Sequence, residues 1–381
     1  MVSLGDLPGG TVESRANFLS ADGAVIVGQS QSVNGLEAFR WTETSGMVGL
    51  GKLPGGTFFF SRALSVSADG TVVVGESQST NGFEAFRWQD GTMTGLGDLP
   101  GGFFFSQAYT VSADGSVIAG QSQSDAGAEA FRWTADGGMV GLGDLPGGTF
   151  FSVVYSTSAD GNVLAGWGQS VNGIEAFRWE NGTMTGLGDL PGSFFFSVAL
   201  AVSSDGSSVV GYSETAPQGY QAFLWTAAGG MRNLKEVLQT DYGLDLTGWT
   251  LSLPYDISDD GTAIVGYGTN PNGQTEAWRA SGLQLGAVAA EDGPEVAGLG
   301  LTSGPNPARD AVRLSFTLPA PGALTLDVTD VLGRQVASVR RDASAGPGSV
   351  LLSTVDWPAG TYLARLQIGP HSGRLPITVV R

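Results

Sequence analysis

The chain has 381 residues, 41% of them hydrophobic, enough to bury a sizeable core and to form two or more domains. Its 18 basic against 36 acidic side chains give a formal charge of −18, which repels nucleic acid and anionic headgroups. The absence of cysteine and the presence of one histidine, His371, exclude disulfides, thiol nucleophiles, cysteine zinc sites and multi-histidine metal centres.

No apolar run reaches the roughly 18 residues of a spanning helix, so no membrane-spanning segment is expected. Met1 to Asp6 already reads as repeat sequence and lacks the basic and apolar regions of a secretory signal. The 60 glycines recur in Asp-Gly, Asn-Gly and Gly-Gly pairs without a three-residue period, which predicts many tight turns and few long helices.

From residue 1 to 288 the chain is a repeat. Its core reads Glu37-Ala38-Phe39-Arg40-Trp41, and returns at Glu84 to Trp88, Glu129 to Trp133, Glu175 to Trp179, Gln221 to Trp225 and Glu276 to Arg279. Pro8, Pro54, Pro100, Pro146 and Pro191 are spaced by 46, 46, 46 and 45 residues, a period that suits four strands. Asp69-Gly70, between Ala63–Ser67 and Thr71–Val74, predicts a two-residue type I′ hairpin. Phe83 to Trp88 and Met93 to Leu99 add a third and a fourth strand.

A lone sheet of this kind cannot hide both faces, and the period predicts a β-propeller rather than a β-solenoid. Six blades are expected and seven is the alternative, because fourth-strand sequences occur seven times when Met1–Leu7 and Leu283–Val288 are both counted. In one solution the N-terminal strand completes the last blade. The last unit carries an insertion, where Leu234, Val237 and Leu238 predict a short amphipathic helix capping one end of the channel. Trp88 and Trp133 are expected to be buried between adjacent sheets.

In unit five Glu and Arg of the pentapeptide are replaced together, by Gln221 and Leu224, which predicts structural pairing between them, made across a bulge or a neighbouring blade because residues three apart on a flat strand face opposite ways. Aromatic clusters follow the Leu-Pro-Gly loops, and Phe58, Phe59, Phe103, Phe104, Phe150 and Phe194 are ligand-binding candidates against a packing role as wedges. Asp98, Asp144 and Asp189, on the same loops, complete the candidate set. Isolated carboxylates do not make a calcium loop, so no metal and no cofactor is expected. Without a Walker loop, dinucleotide fingerprint or nucleophile elbow, the residues favour binding or structure over catalysis.

The repeat, with Ala-Phe-x-Trp after Ser-Ala-Asp-Gly and Val-Val-Val-Gly, resembles the HAF family of extracellular repeats, though with Glu or Gln where that family often has His. The resemblance implies an extracellular propeller-like array.

Residues 289 to 304 lose the repeat and read as an acidic, Pro- and Gly-containing linker. From 305 to 381, six or seven short alternating strands predict a small Ig-like β-sandwich. Pro305-Asn306-Pro307, Val328 to Arg334, Trp357 to Tyr362 and Leu375 to Arg381 resemble the C-terminal sorting domain of type IX secretion substrates. That resemblance implies export across a Gram-negative outer membrane by the type IX machinery, then release or attachment to surface lipopolysaccharide. Within it Pro305, Asn306, Pro307, Gly333, Gly360 and Tyr362 carry the sorting motif. A secreted or surface propeller that binds a glycan or serves a structural role is the expected function. A polysaccharide hydrolase or lyase using face carboxylates is the alternative.

Overall fold

The structure, a computed structural model, describes residues 3–192, 194–215, 219–283, 302–304, 308–318, 321–330, 335–355, 357, 360–368 and 371–379. It divides into two compact units, Met1–Val288 and Ala289–Arg381.

The first unit is a row of antiparallel meanders. Repeat 2 shows the pattern, with strands Ser61–Val66, Val73–Gln78, Phe83–Gln89 and Thr92–Gly95 paired in chain order. Repeats 1, 3, 4 and 5 reproduce it over 9–49, 106–141, 147–186 and 197–233. Repeat 6 has three described strands, Thr250–Ile257, Ala263–Thr269 and Thr275–Ser281. Successive sheets pack face to face. Val72, Val74 and Ala85 of repeat 2 share a core with Val111, Ile118 and Phe131 of repeat 3, and the same layer recurs at other junctions.

The phenylalanine of the pentapeptide is the anchor of each layer. Phe39, Phe86, Phe131, Phe177 and Phe223 are fully buried, each paired in register with a second-strand glycine such as Gly75 or Gly120. A β-carbon at Gly120 would collide with the Gln107 carbonyl oxygen, so glycine admits the first strand at its bulge. Trp88 and Trp133 pack against these layers but stay half-buried, which corrects the expectation of buried indoles.

The Asp-Gly turns differ from the type I′ hairpin expected. Asp69 does not take the left-handed conformation that type I′ requires of both central residues; Gly70 does, at φ 72°. The turn is wider. Gly70 N–H donates to Ser67 O at 2.9 Å, and Asp69 Oδ1 accepts from Ser67 Oγ at 2.7 Å and Thr71 N at 3.0 Å. The type I′ signature appears instead between third and fourth strands, at Asp90-Gly91 and Asn181-Gly182, where both φ values are positive.

Those turn aspartates are held below the ordinary carboxylate value of 3.8. At Asp22, Asp69, Asp114 and Asp160 the adjacent serine hydroxyl is the chief cause. At Asp205 and Asp260 burial pushes the other way, and serine and amide bonds outweigh it. A depressed folded value adds stability above 3.8 that is lost as pH falls through the folded value. Asp114→Asn should therefore lower the melting temperature at pH 7, and the gap from wild type should narrow by about pH 3. An undiminished gap in calorimetry at the two pH values would refute this role.

Units are also laced by backbone. Ala21 N–H donates to Ala68 O, Ala68 to Ala113, Ala113 to Ala159 and Ala159 to Ser204, at 2.9 to 3.1 Å. The row does not close. Among the described residues no strand of repeat 1 pairs with repeat 6, and the first strand, largely buried in repeats 2, 3 and 5, is exposed along most of its length in repeat 1. Residues 3–7 form no strand, and Leu7 N–H donates to Ser30 Oγ of its own repeat at 3.0 Å. The N-terminal segment thus does not complete the last sheet, because closure needs a cumulative rotation between sheets that no local motif sets.

The expected helix runs from Leu234 to Thr240, with Asn233 Oδ1 accepting from Lys235 N at 2.9 Å as its N-cap. It is not a cap over a channel. Leu234, Val237 and Leu238 are buried with Leu224, Leu251 and Ile264, filling the layer between repeats 5 and 6. That position explains Leu224, since an arginine there would put a charge under the helix.

The second unit is a two-sheet sandwich. Thr302–Gly304, Ala311–Leu318 and Gly346–Ser353 form one sheet; Gln335–Ala343, Gly322–Asp330, Gly360–Ile368 and His371–Val379 form the other. Val312, Leu314 and Phe316 meet Leu326, Ala364, Leu366 and Ile377 in one core. Of the linker expected over 289–304, Thr302–Gly304 is an edge strand of this sandwich and the rest lies outside the described residues.

Candidate functional site

The expected Glu–Arg pairing is not made. Glu37, Glu84, Glu129 and Glu175 each accept, through Oε1, the amide of Gly51, Gly97, Gly143 or Gly188 at 2.9 to 3.1 Å, holding their own exit loop. The arginines reach forward. Nε of Arg40, Arg132 and Arg178 donates to Gly70, Gly161 and Gly206 O of the following repeat at 3.1 to 3.3 Å. Residues three apart on a strand face opposite ways, so Glu serves one sheet edge and Arg the next unit.

Asp98, Asp144 and Asp189 sit half-buried where those loops cross to the next first strand. Burial pushes their carboxyls up, the neighbouring Glu84, Glu129 or Glu175 adds repulsion, and the Phe105, Phe151 or Phe196 amide opposes. They are joints of the loop. Phe58, Phe103 and Phe194 are 50%, 66% and 67% exposed, one per junction, and Phe58 packs edge-on against Phe60 and Phe83. Phe59, Phe104 and Phe150 are half-buried. The structure does not bring these candidates together into one site. Among the described residues, no group of three or more acidic or histidine side chains could hold a metal ion.

A different set converges. The residue after the second-strand glycine faces a fixed first-strand partner: Arg15↔Gln29, Arg62↔Glu76, Gln107↔Gln121, Val153↔Trp167, Val198↔Tyr212 and Leu253↔Tyr267. Along an otherwise uniform array this column changes from charged and polar to aromatic. At its polar end Arg62 Nε lies 2.5 Å from Glu76 Oε1, and burial raises the Glu76 carboxyl against the pull of Arg62.

At the aromatic end a cavity of about 410 Å³ opens between repeats 4, 5 and 6, lined by Tyr155, Trp167, Phe196, Tyr212, Leu253 and Tyr255 among others. Phe151 stacks on Trp167 at 4.4 Å, and Trp167 Nε1 donates to Tyr155 OH at 3.3 Å. Tyr109 meets Tyr155 edge-on at 5.3 Å and links the cavity to the polar end. Burial and neighbouring Tyr155 and Glu76 push the Tyr109 phenol up to about 12; for Tyr212, burial and Tyr220 act in the upward direction. Both stay protonated at neutral pH; the Tyr109 hydroxyl donates to Gln107 Oε1 at 2.5 Å, while Tyr155, Tyr212 and Tyr255 line the cavity itself. The cavity thus offers flat apolar faces beside phenol hydroxyls.

Sequence reasoning missed this column because it looked at what recurs. The signal was present in the opposite sense: Gln29, Glu76, Gln121, Trp167, Tyr212 and Tyr267 are the position that varies beside an invariant glycine.

In the second unit, Tyr362 is buried against Trp357, ring centroids 4.8 Å apart, and Gly360 pairs in register with Val379. Pro305, Asn306, Pro307 and Gly333 lie outside the described residues.

Residues 305–374 match the family model of the secretion system C-terminal sorting domain, the type IX sorting tail. No curated protein sequence is significantly similar to the chain. Among solved structures, TolB from Acinetobacter baumannii is similar at 12% identity and a TM-score of 0.42, over 71% of this chain and 66% of that one. A putative TolB from Agrobacterium tumefaciens is similar at 15% identity and a TM-score of 0.38, over 85% and 94%. A mutant of AofleA from Arthrobotrys oligospora, with alanine in place of arginine at several positions, is similar at 12% identity and a TM-score of 0.31, over 89% of each chain. At these values the likenesses carry nothing about ligand or activity. The sorting tail marks a secreted or cell-surface protein.

Proposed function

We propose that the chain is a type IX cargo whose repeat domain, an open propeller of the HAF type with six or seven blades, binds glycan through the aromatic column. An immunoglobulin-like tail would direct its export. The observation that carries the reading is Trp167, Tyr212 and Tyr267 at one register position in three consecutive repeats, the first two lining a cavity of about 410 Å³ and the third packed on Tyr255 of its wall. Flat rings bordered by phenol hydroxyls suit the apolar face and hydroxyl edge of a sugar. The exposed Phe58, Phe103 and Phe194, and the loop carboxylates Asp98, Asp144 and Asp189, form a second and separate row of contacts in this proposal.

Trp167→Ala and Tyr212→Ala should each weaken binding about tenfold or more, as aromatic anchors at a binding centre do. The test is retention of the full chain on an immobilised panel of neutral and acidic polysaccharides, with dissociation constants for any hit. No retention on the panel, or retention untouched by both substitutions, would refute the assignment. Turnover of a retained polysaccharide, lost on substitution of one carboxylate, would favour a hydrolase or lyase instead.

A further inference from the structure

Each junction between repeats joins two different half-faces. The leading half-face of repeat 2, Val72, Val74 and Ala85, is at most 1% exposed beneath repeat 3, and the trailing half-face, Ala63, Val66 and Val73, is at most 3% exposed beneath repeat 1. Register identifies the same positions at the ends of the row. In repeat 6, Val265 pairs with Arg279 and Tyr267 with Ala277, as Val74 pairs with Arg87 and Glu76 with Ala85 in repeat 2. In repeat 1, Leu19 pairs with Ile26 as Val66 pairs with Val73.

Among the described residues both end faces expose apolar side chains, although the anchor ring Phe39 of repeat 1 stays buried. Val265 is 41% exposed and Ala277 and Arg279 are exposed on repeat 6, while Leu19 is 56% exposed, beside exposed Ala16 and Phe18, on repeat 1. The polar fittings of the junction are also in place. Arg279 occupies the position from which Arg40, Arg132 and Arg178 reach the next repeat's glycine carbonyl. The carbonyls of Gly23 and Ala21 occupy the positions at which Gly70 and Ala68 accept from the preceding repeat.

We propose that a second copy of this chain docks here head to tail, repeat 6 of one copy against repeat 1 of the next. The contact continues an interface that the chain already makes within itself, and each copy carries both complementary halves. Since the halves differ, the contact is heterologous, and copies joined this way form open chains unless the rotation closes a ring. Arg279 of one copy reaches the Gly23 carbonyl of the next, and Leu19 packs under Val265 and Ala277. The proposal does not rest on the glycan reading: the end face borders the aromatic column only at Tyr267, the cross-strand partner of Ala277, and leaves Trp167 and Tyr212 untouched.

Sedimentation velocity of the full chain over a hundredfold range of concentration tests it. The expected result is a mass that rises from monomer to multimers. Leu19→Glu, and separately the double substitution Val265→Glu with Ala277→Glu, should each leave monomers with unchanged circular dichroism, because all three side chains are exposed. A mixture of the two blocked proteins should give a one-to-one dimer and nothing larger, each partner contributing its unblocked end. If either blocked protein misfolds, Arg279→Glu replaces it and should weaken association at least tenfold. A wild-type monomer at every concentration overturns the proposal, as does association that survives both blocks. Monomers whose amides over residues 9–19 resist hydrogen exchange would assign the face to the chain's own far end, and equally overturn it.

Discussion

Phe131→Ala should destabilise the repeat domain by about 3–5 kcal/mol, the usual cost of removing a buried phenylalanine ring. The ring has no exposure and sits among Val72, Val74, Ala85, Leu96 and Leu99 of the preceding repeat and Ile118 of its own. Its loss opens a cavity at the joint between two sheets, where neither can collapse alone onto the gap. Because each repeat is stabilised mainly by its neighbours, the damage should also divide the array, giving chemical denaturation with two transitions in place of one. Trp133→Ala, at a half-buried ring on the edge of the same layer, should cost less, about 1–3 kcal/mol. A larger loss at Trp133 than at Phe131 would mean that the tryptophan, and not the phenylalanine, anchors the junction.

Removal of the tail should abolish delivery beyond the periplasm while leaving the array folded. The cut belongs before Thr302, since Thr302–Gly304 pair with Arg313–Ser315 and a break after Gly304 would strand an edge strand of the sandwich on the array. In a host with type IX machinery, and with a signal peptide fused ahead of Met1, the shortened chain should accumulate in the periplasm. Its circular dichroism should match the full chain minus the sandwich, because the two compact units keep separate cores. Tyr362→Ala, which empties a place against Trp357 in the sandwich core, should mimic the deletion in part. Normal surface delivery of the shortened chain would return residues 305–381 to the status of an ordinary β-sandwich.

The local structure was legible in the residues. Four strands per repeat followed from Asp-Gly and Asn-Gly punctuation, the short helix from Leu234, Val237 and Leu238, and the tail strands from alternation between Ala311 and Val379. These elements depend on neighbours within a few residues, where turn chemistry and periodicity act directly. Even there the turn type at Asp69-Gly70 escaped, since a pair of residues does not state its own φ angles and the Ser67 hydroxyl, two residues away, shapes the loop.

What crosses from one repeat to the next was decided by the tertiary structure alone. Glu and Arg of the pentapeptide are replaced together in repeat 5, yet Glu84 holds its own exit loop while Arg40 and Arg132 hold the next turn, because a strand sends residues three apart to opposite faces. The cavity between Tyr155, Trp167 and Tyr212 gathers side chains dozens of residues apart, each ordinary in its own repeat. Whether the row closes is set by a small rotation summed over every junction, and no single repeat contains that sum. The sequence therefore determined the unit and its strand order; only the packing of unit upon unit determined the bare ends, the aromatic column and the partners of each charged side chain.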